Sequence, residues 1–194
     1  MRELDAVASS RRLVIVRVFS MAACLALTAF GAQIRIPLWF TPVPVTGQVF
    51  GVICTGLLLD ARAAVSVQFA YVFLGVLGIP WFTNGGGGAG YLLGPTGGYL
   101  VGFMVAAGVI AVLRQRISGI TASLTGVAVI YLAGTIWLAV YLNTISHMPL
   151  STALPKAFWL GVAPFWLGDV VKAVLATLVS SRFSSPSGRA DRTQ

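Results

Sequence analysis

Six apolar runs, each closed by charge, proline or glycine, set the pattern of this chain. The first extends from Leu13 to Ala32. The second, Gly47 to Leu59, is short, and the third runs from Ala63 to Ile79 and stops at Pro80. The fourth opens with Gly94-Pro95-Thr96-Gly97-Gly98-Tyr99 and ends near Leu113, where Arg114-Gln115-Arg116 closes it. The fifth spans Leu124 to Ile145. The sixth opens at Pro164, whose missing N–H suits a first helical turn, and continues to about Val179. A helix needs about 20 apolar residues to cross a ~30 Å hydrocarbon core, so the second run lies near the lower limit. The pattern predicts an all-α membrane protein with six transmembrane helices.

The intervening segments divide the chain further. Residues 1–12 are polar and are expected to be a frayed cytoplasmic segment before a membrane domain over 13–182. Residues 183–194 are expected to form a mobile basic tail. Gln33 to Thr46 carries Pro37, Pro42 and Pro44, which cannot continue a helix, and reads as an ordered apolar loop at the interface. Asp60-Ala61-Arg62 makes a turn. Residues 146–163 are expected to hold a short interfacial helix around Ala157–Gly161. No internal repeat stands out, so the pattern gives no support for an inverted-repeat transporter.

Composition agrees with the pattern. Hydrophobic residues make up 57% of the 194 and charged residues only 9%, against about 25% charged in a soluble domain. The formal net charge is +8, but the basic residues sit at the ends of apolar runs rather than on one face, which argues against nucleic acid as partner. One set of run ends holds Arg2, Arg11, Arg12, Arg17, Arg62, Arg114, Arg116, Arg182, Arg189 and Arg192; the other holds Arg35 and Lys156. By the positive-inside rule both termini face the cytoplasm. The first run is too long for a cleavable signal. Cys24 and Cys54 lie within apolar runs and read as small buried hydrophobes, with neither a disulfide nor a metal expected. No phosphate-binding Walker motif and no nucleophile–base spacing is present, so neither ATP hydrolysis nor intramembrane catalysis is expected of this chain, and no cofactor is called for.

Two charges interrupt the sixth run. Asp169 and Lys172 are three residues apart and share one helical face. A charge at bilayer depth costs roughly 2.5–3.5 kcal/mol even on the lenient scale, and such residues usually face a bundle interior and mark a ligand or ion path. The alternative is an ion pair that only holds helices together. Both would lie in the outer half of the bilayer, Asp169 about 7–8 Å below a helix start at Pro164. The same outer side carries Thr83-Asn84-Gly85-Gly86-Gly87-Gly88-Ala89-Gly90-Tyr91. Its formal G-x-G-x-x-G match has no strand–helix unit around it and is not a dinucleotide motif. The loop reads either as a floppy turn or as bare backbone approaching a ligand. Asn84 both donates and accepts, which suits an amide- or urea-like group, and Tyr91 and Tyr99 could wall a site. Gln48, at the start of the second run, is either a helix cap or a site residue. His147 has no partner at catalytic spacing. Ala22 and Ala26 form a small-x-x-x-small pair that lets another helix approach, inside the bundle or from outside.

Several of these motifs occur together in a known order. Ile36-Pro37-Leu38 and Thr41-Pro42-Val43-Pro44-Val45-Thr46-Gly47-Gln48, then the glycine loop and Gly94-Pro95-Thr96-Gly97-Gly98-Tyr99-Leu100, then Pro164-Phe165, Gly168-Asp169 and Lys172, resemble the BioY family. The resemblance covers about residues 13–182. It implies a six-helix substrate-capture (S) component of an energy-coupling factor transporter in a bacterial inner membrane. It further implies biotin as substrate, bound near the outer face, and docking onto a transmembrane coupling protein driven by ATPase subunits. By motif position it places biotin contacts at Asn84, Tyr91, Asp169 and Lys172, with Gln48 nearby, and the docking surface at Ala22 and Ala26. An S component for another vitamin, or an assembly subunit that binds no ligand, are the rival readings.

Overall fold

The structure, a computed structural model, describes residues 2–183, with side chains from Arg11 onward. The tail beyond residue 183 lies outside the described residues. The helices are α1 (Arg2–Gln33), α2 (Gln48–Leu58), α3 (Ala61–Val76), α4 (Ala89–Leu92), α5 (Gly97–Leu113), α6 (Gly119–Ser146), α7 (Leu150–Gly161) and α8 (Trp166–Phe183). Two short strands, β1 (Arg35–Ile36) and β2 (Val45–Thr46), pair antiparallel within the proline-rich loop, Arg35 opposite Thr46 and Ile36 opposite Val45.

Each apolar run is helical, and the boundaries move for local reasons. Residues 2–12, expected to be frayed, continue α1 without a break. No proline interrupts Arg2–Gln33, and an established helix propagates at little cost through good formers such as Glu3, Leu4 and Ala6. Ser118 caps α6 by accepting from the Thr121 N–H at 3.2 Å, which starts that helix at Gly119, five residues before the expected Leu124. α7 reaches back from the expected Ala157–Gly161 to Leu150 and carries Pro155 inside it. Proline there forgoes the bond to the Ser151 carbonyl, a residue open to solvent. α8 begins at Trp166 rather than Pro164, because Val162–Phe165 forms a turn that bends α7 against α8 by 50°.

Arg11–Gln33 of α1 and the whole of α6 are each long and apolar enough to cross a membrane, and the bent pair α7–α8 makes a third candidate. α2, α3 and α5 are shorter apolar helices. α2 has the most protein around it. Val52, Ile53, Cys54 and Thr55 are almost wholly buried, and the helix packs on α1, α5 and α8. Its glycines permit this. A Cβ on Gly51 would lie 2.8 Å from Thr28 Cα, and one on Gly56 2.6 Å from Ile110 Cβ, so any side chain would push the helices apart. α1 does the reverse: Leu13, Val14, Ile15, Val18 and Phe19 are all exposed. A solitary face of that kind needs lipid or a partner.

Candidate functional site

α8 places its carboxylate first. Asp169 lies in the opening turn of α8, with its N–H bonded to the Phe165 carbonyl at 2.9 Å. Its depth below the helix start is thus less than the sequence suggests, and an acidic side chain suits the positive end of the helix dipole. Asp169 is buried, 3% exposed. Lys172 Nζ donates to Oδ1 at 2.7 Å from one turn on. Tyr131, from the middle of α6, donates its hydroxyl to Oδ2 at 2.6 Å. A carboxylate offers about four lone-pair positions and an ammonium three donors, so both groups keep capacity for a further partner.

A second polar group lines the same space. Gln48 is buried at the start of α2. Its Oε1 accepts from Thr46 at 3.0 Å and from Thr83 at 3.2 Å, and its Nε2 donates to the Tyr71 hydroxyl at 2.8 Å. Trp81 donates its indole N–H to the Tyr71 carbonyl at 3.0 Å and stacks on the Tyr71 ring. Gln48 therefore joins β2, α2, α3 and the glycine loop, and does not simply cap a helix. Below it, Gln68 Nε2 donates to both Thr28 and Thr55 at 3.1 and 2.9 Å, which ties α3 to α1 and α2.

These groups line one small cavity. Asp169, Lys172 and Tyr131 line it together with Gln48, Thr46 and Thr83. Tyr91, Tyr99, Phe103, Ile130 and Phe165 supply apolar walls. Tyr99 is held by donating to the Gly161 carbonyl at 2.9 Å, and Tyr91 packs on Phe82 with ring centroids 4.8 Å apart. The proline loop is fastened over α7 by Thr41, which donates to the Leu160 carbonyl at 2.7 Å. Such a lining suits a mostly apolar molecule with a few donors and acceptors, and the ion pair supplies one strong acceptor beside one strong donor.

Of the residues singled out from sequence, Gln48, Tyr91, Asp169 and Lys172 line this cavity. Asn84 does not. It is exposed in the loop above, in a left-handed turn at φ +67°, a conformation asparagine tolerates better than most residues. Ala22 and Ala26 lie on the exposed face of α1, opposite the buried Cys24 and Thr28. Tyr131, Thr46 and Thr83 escaped the sequence reading. A tyrosine or threonine inside or beside an apolar run carries no charge that would single it out.

Comparison with known proteins places the chain among relatives. A family model described as the BioY family matches residues 4–188. A Pyrococcus horikoshii protein named probable biotin transporter BioY is 41% identical over 162 residues, 84% of this chain and 92% of the relative. The biotin transporter BioY of Thermotoga maritima is 37% identical over 161 residues, 81% and 89% of the two chains. A crystal structure of the S-component for biotin from an ECF-type ABC transporter superposes with a TM-score of 0.72 at 27% identity, covering 91% of this chain and 92% of the other.

Proposed function

The chain belongs to the BioY family, and on that premise we propose that it captures biotin in the cavity between α2, α6 and α8 for uptake across the membrane. It is a transport component and not an enzyme. The observation that carries the reading is the Asp169–Lys172 pair. It is sunk in an apolar bundle and lines a cavity that buried Gln48 lines as well.

Biotin matches these groups by chemistry. Its ureido ring presents two N–H donors around one carbonyl, beside a thioether ring and a carboxylate tail. Asp169 accepts a ureido N–H, and Lys172 donates to the ureido oxygen. Gln48 offers its remaining amide N–H, and Tyr91 covers the ring face. Asn84, carried at the tip of the loop above the cavity, supplies a further hydrogen bond when the loop folds down over the bound vitamin. Desolvated charge-assisted bonds contribute about 1.5–3 kcal/mol each. A few of them with apolar enclosure reach nanomolar affinity, roughly −12 kcal/mol.

The same reading extends to membrane placement. Six spans are α1, α2, α3, α5, α6 and α8, forming one membrane domain over 13–182 between cytoplasmic segments 1–12 and 183–194. Both termini face the cytoplasm of a bacterial cell whose inner membrane the protein crosses. The brevity of α2 fits this scheme, since irregular backbone is tolerated at membrane depth where protein or a cavity surrounds it. Ala22 and Ala26 dock a transmembrane coupling protein, itself driven by ATPase subunits. Their exposure on α1, beside Phe19 and Val18, supports an external partner over internal packing.

The deciding experiment is a titration of the purified protein with biotin, with unlabelled thiamine and riboflavin as competitors. Saturable binding displaced by biotin alone is expected. Binding displaced by another vitamin, or no binding, removes the assignment.

A further inference from the structure

A second hollow lies outside the bundle, between α3 and α5, and no part of the transport reading uses it. Val65 of α3 and Met104, Val105, Gly108 and Val112 of α5 line it, and it is open to the surroundings. Val65, Val105 and Val112 are 40–52% exposed. Gly108 lets α3 and α5 approach closely beside the groove: a Cβ there would come within 2.8 Å of the Val65 Cγ2 atom. The groove has no polar side chain along it and runs to Leu113, the last residue of α5.

At that end the chemistry changes. Arg114 and Arg116 follow α5 directly, and Arg62 lies one helical turn before Val65 on the same face of α3. The two ends meet, since Arg114 Nη2 donates to the Leu59 carbonyl at 3.2 Å. The Nε atom of Arg114 is buried and has no hydrogen-bond partner. None of these three arginines forms an ion pair among the described residues, and the nearby carboxylate, Asp60, is bridged to Arg17 at 2.7 Å. An apolar channel thus ends beside three cations whose one nearby carboxylate, Asp60, is already bridged to Arg17, and one of the three has a buried donor unused.

We propose that the α3–α5 groove binds an anionic phospholipid, its acyl chain laid along Val65, Val105 and Gly108 and its phosphate held by Arg62, Arg114 and Arg116. The charge complement selects the occupant: a hydrophobic helix of a partner would fill the channel but leave the cations unmatched, and a zwitterionic lipid would compensate them only in part. The assignment rests on the proposed orientation, which puts this end at the cytoplasmic leaflet, and it is independent of the vitamin.

The test is native mass spectrometry of the full chain in detergent, titrated separately with dioleoyl phosphatidylglycerol and dioleoyl phosphatidylcholine. Circular dichroism of every sample runs alongside as the folding control, and the parent is titrated with biotin as well. The parent is expected to retain phosphatidylglycerol preferentially. Arg62→Gln and Arg116→Gln should each weaken that retention about fivefold, from the contribution of one cation near a lipid surface. Gly108→Leu, which fills the groove, should abolish the preference, and Val105→Phe should do the same if the leucine variant misfolds. Equal retention of the two lipids by the parent overturns the proposal. So does undiminished phosphatidylglycerol preference in a folded groove-filling variant. A parent that prefers phosphatidylglycerol yet fails to bind biotin supports this inference and defeats the functional one.

Discussion

Tyr131 and Asp169, 38 positions apart in the chain, meet at 2.6 Å where α6 crosses α8. With Lys172 on the other oxygen, the carboxylate is gripped from two helices and its orientation toward the cavity is set. Removing one partner of a buried charge leaves the other uncompensated, so the three residues act as a unit.

Tyr131→Phe keeps the ring and removes the donor. Loss of a hydrogen bond to a charged acceptor is expected to cost about 1.5–3 kcal/mol. It should appear as weaker biotin affinity in calorimetric titration, with the thermal midpoint lowered as well. A variant that matches the parent in both would mean the bond does not position Asp169.

Asp169→Asn and Lys172→Ala each delete a proposed ligand contact. Biotin affinity should fall at least about tenfold for either, the size of one charge-assisted bond. The protein should remain monodisperse and helical by circular dichroism. If both titrate like the parent, biotin is held elsewhere.

Asn84→Gly separates two roles of one residue. Glycine accepts the left-handed turn without strain, so the loop conformation survives while the carboxamide is lost. Weakened binding, by about three- to tenfold for one neutral hydrogen bond, is expected. Unchanged affinity would reduce Asn84 to a turn former.

Ala22→Trp enlarges the exposed face of α1 far from the cavity. Biotin binding by the isolated protein should be unaltered, while association with the ATP-driven module in a pull-down should be lost. Intact association would move the docking surface off this face.

Asp60, in the turn between α2 and α3, gives a pH signature. Its side chain caps α3 by accepting from the Ala63 N–H, and this bond, with Arg17 adding to it, holds the carboxyl below its ordinary range. A lowered folded value means the stabilisation is present above the unfolded pKa, about 3.9, and is lost as pH falls through the folded value. Asp60→Asn retains a capping oxygen but cannot titrate. The parent's advantage over this variant in thermal midpoint should therefore shrink as pH drops below about 4. An advantage constant down to the acid limit would contradict the capping account.

How far the sequence alone leads differs from residue to residue. Asp169 and Lys172 were visible because a charge in an apolar run is expensive wherever the chain folds. Gln48 was visible as a polar residue, but its ties to Tyr71 and Thr83 cross between elements and leave no local trace. Tyr131 had no signal, since a tyrosine in an apolar helix packs as readily as it serves. Residues 2–12 are polar, but polarity alone does not end a helix, and an uninterrupted chain of helix formers carries α1 through them.

The chain's own order of apolar runs, prolines and charges determined the membrane class, the helical elements and the acid–base pair on one face of α8. These depend on local free energies: transfer of side chains from water, and backbone geometry barred to proline. Only the tertiary structure decided that α6 brings Tyr131 to that pair, that β2 and α2 set Thr46 and Gln48 on the same cavity, and that Asn84 stays outside. Those facts follow from which helix faces meet. That is settled by close packing at sites such as Gly51 on Thr28 and Gly56 on Ile110, contacts between distant positions that no single run of residues encodes.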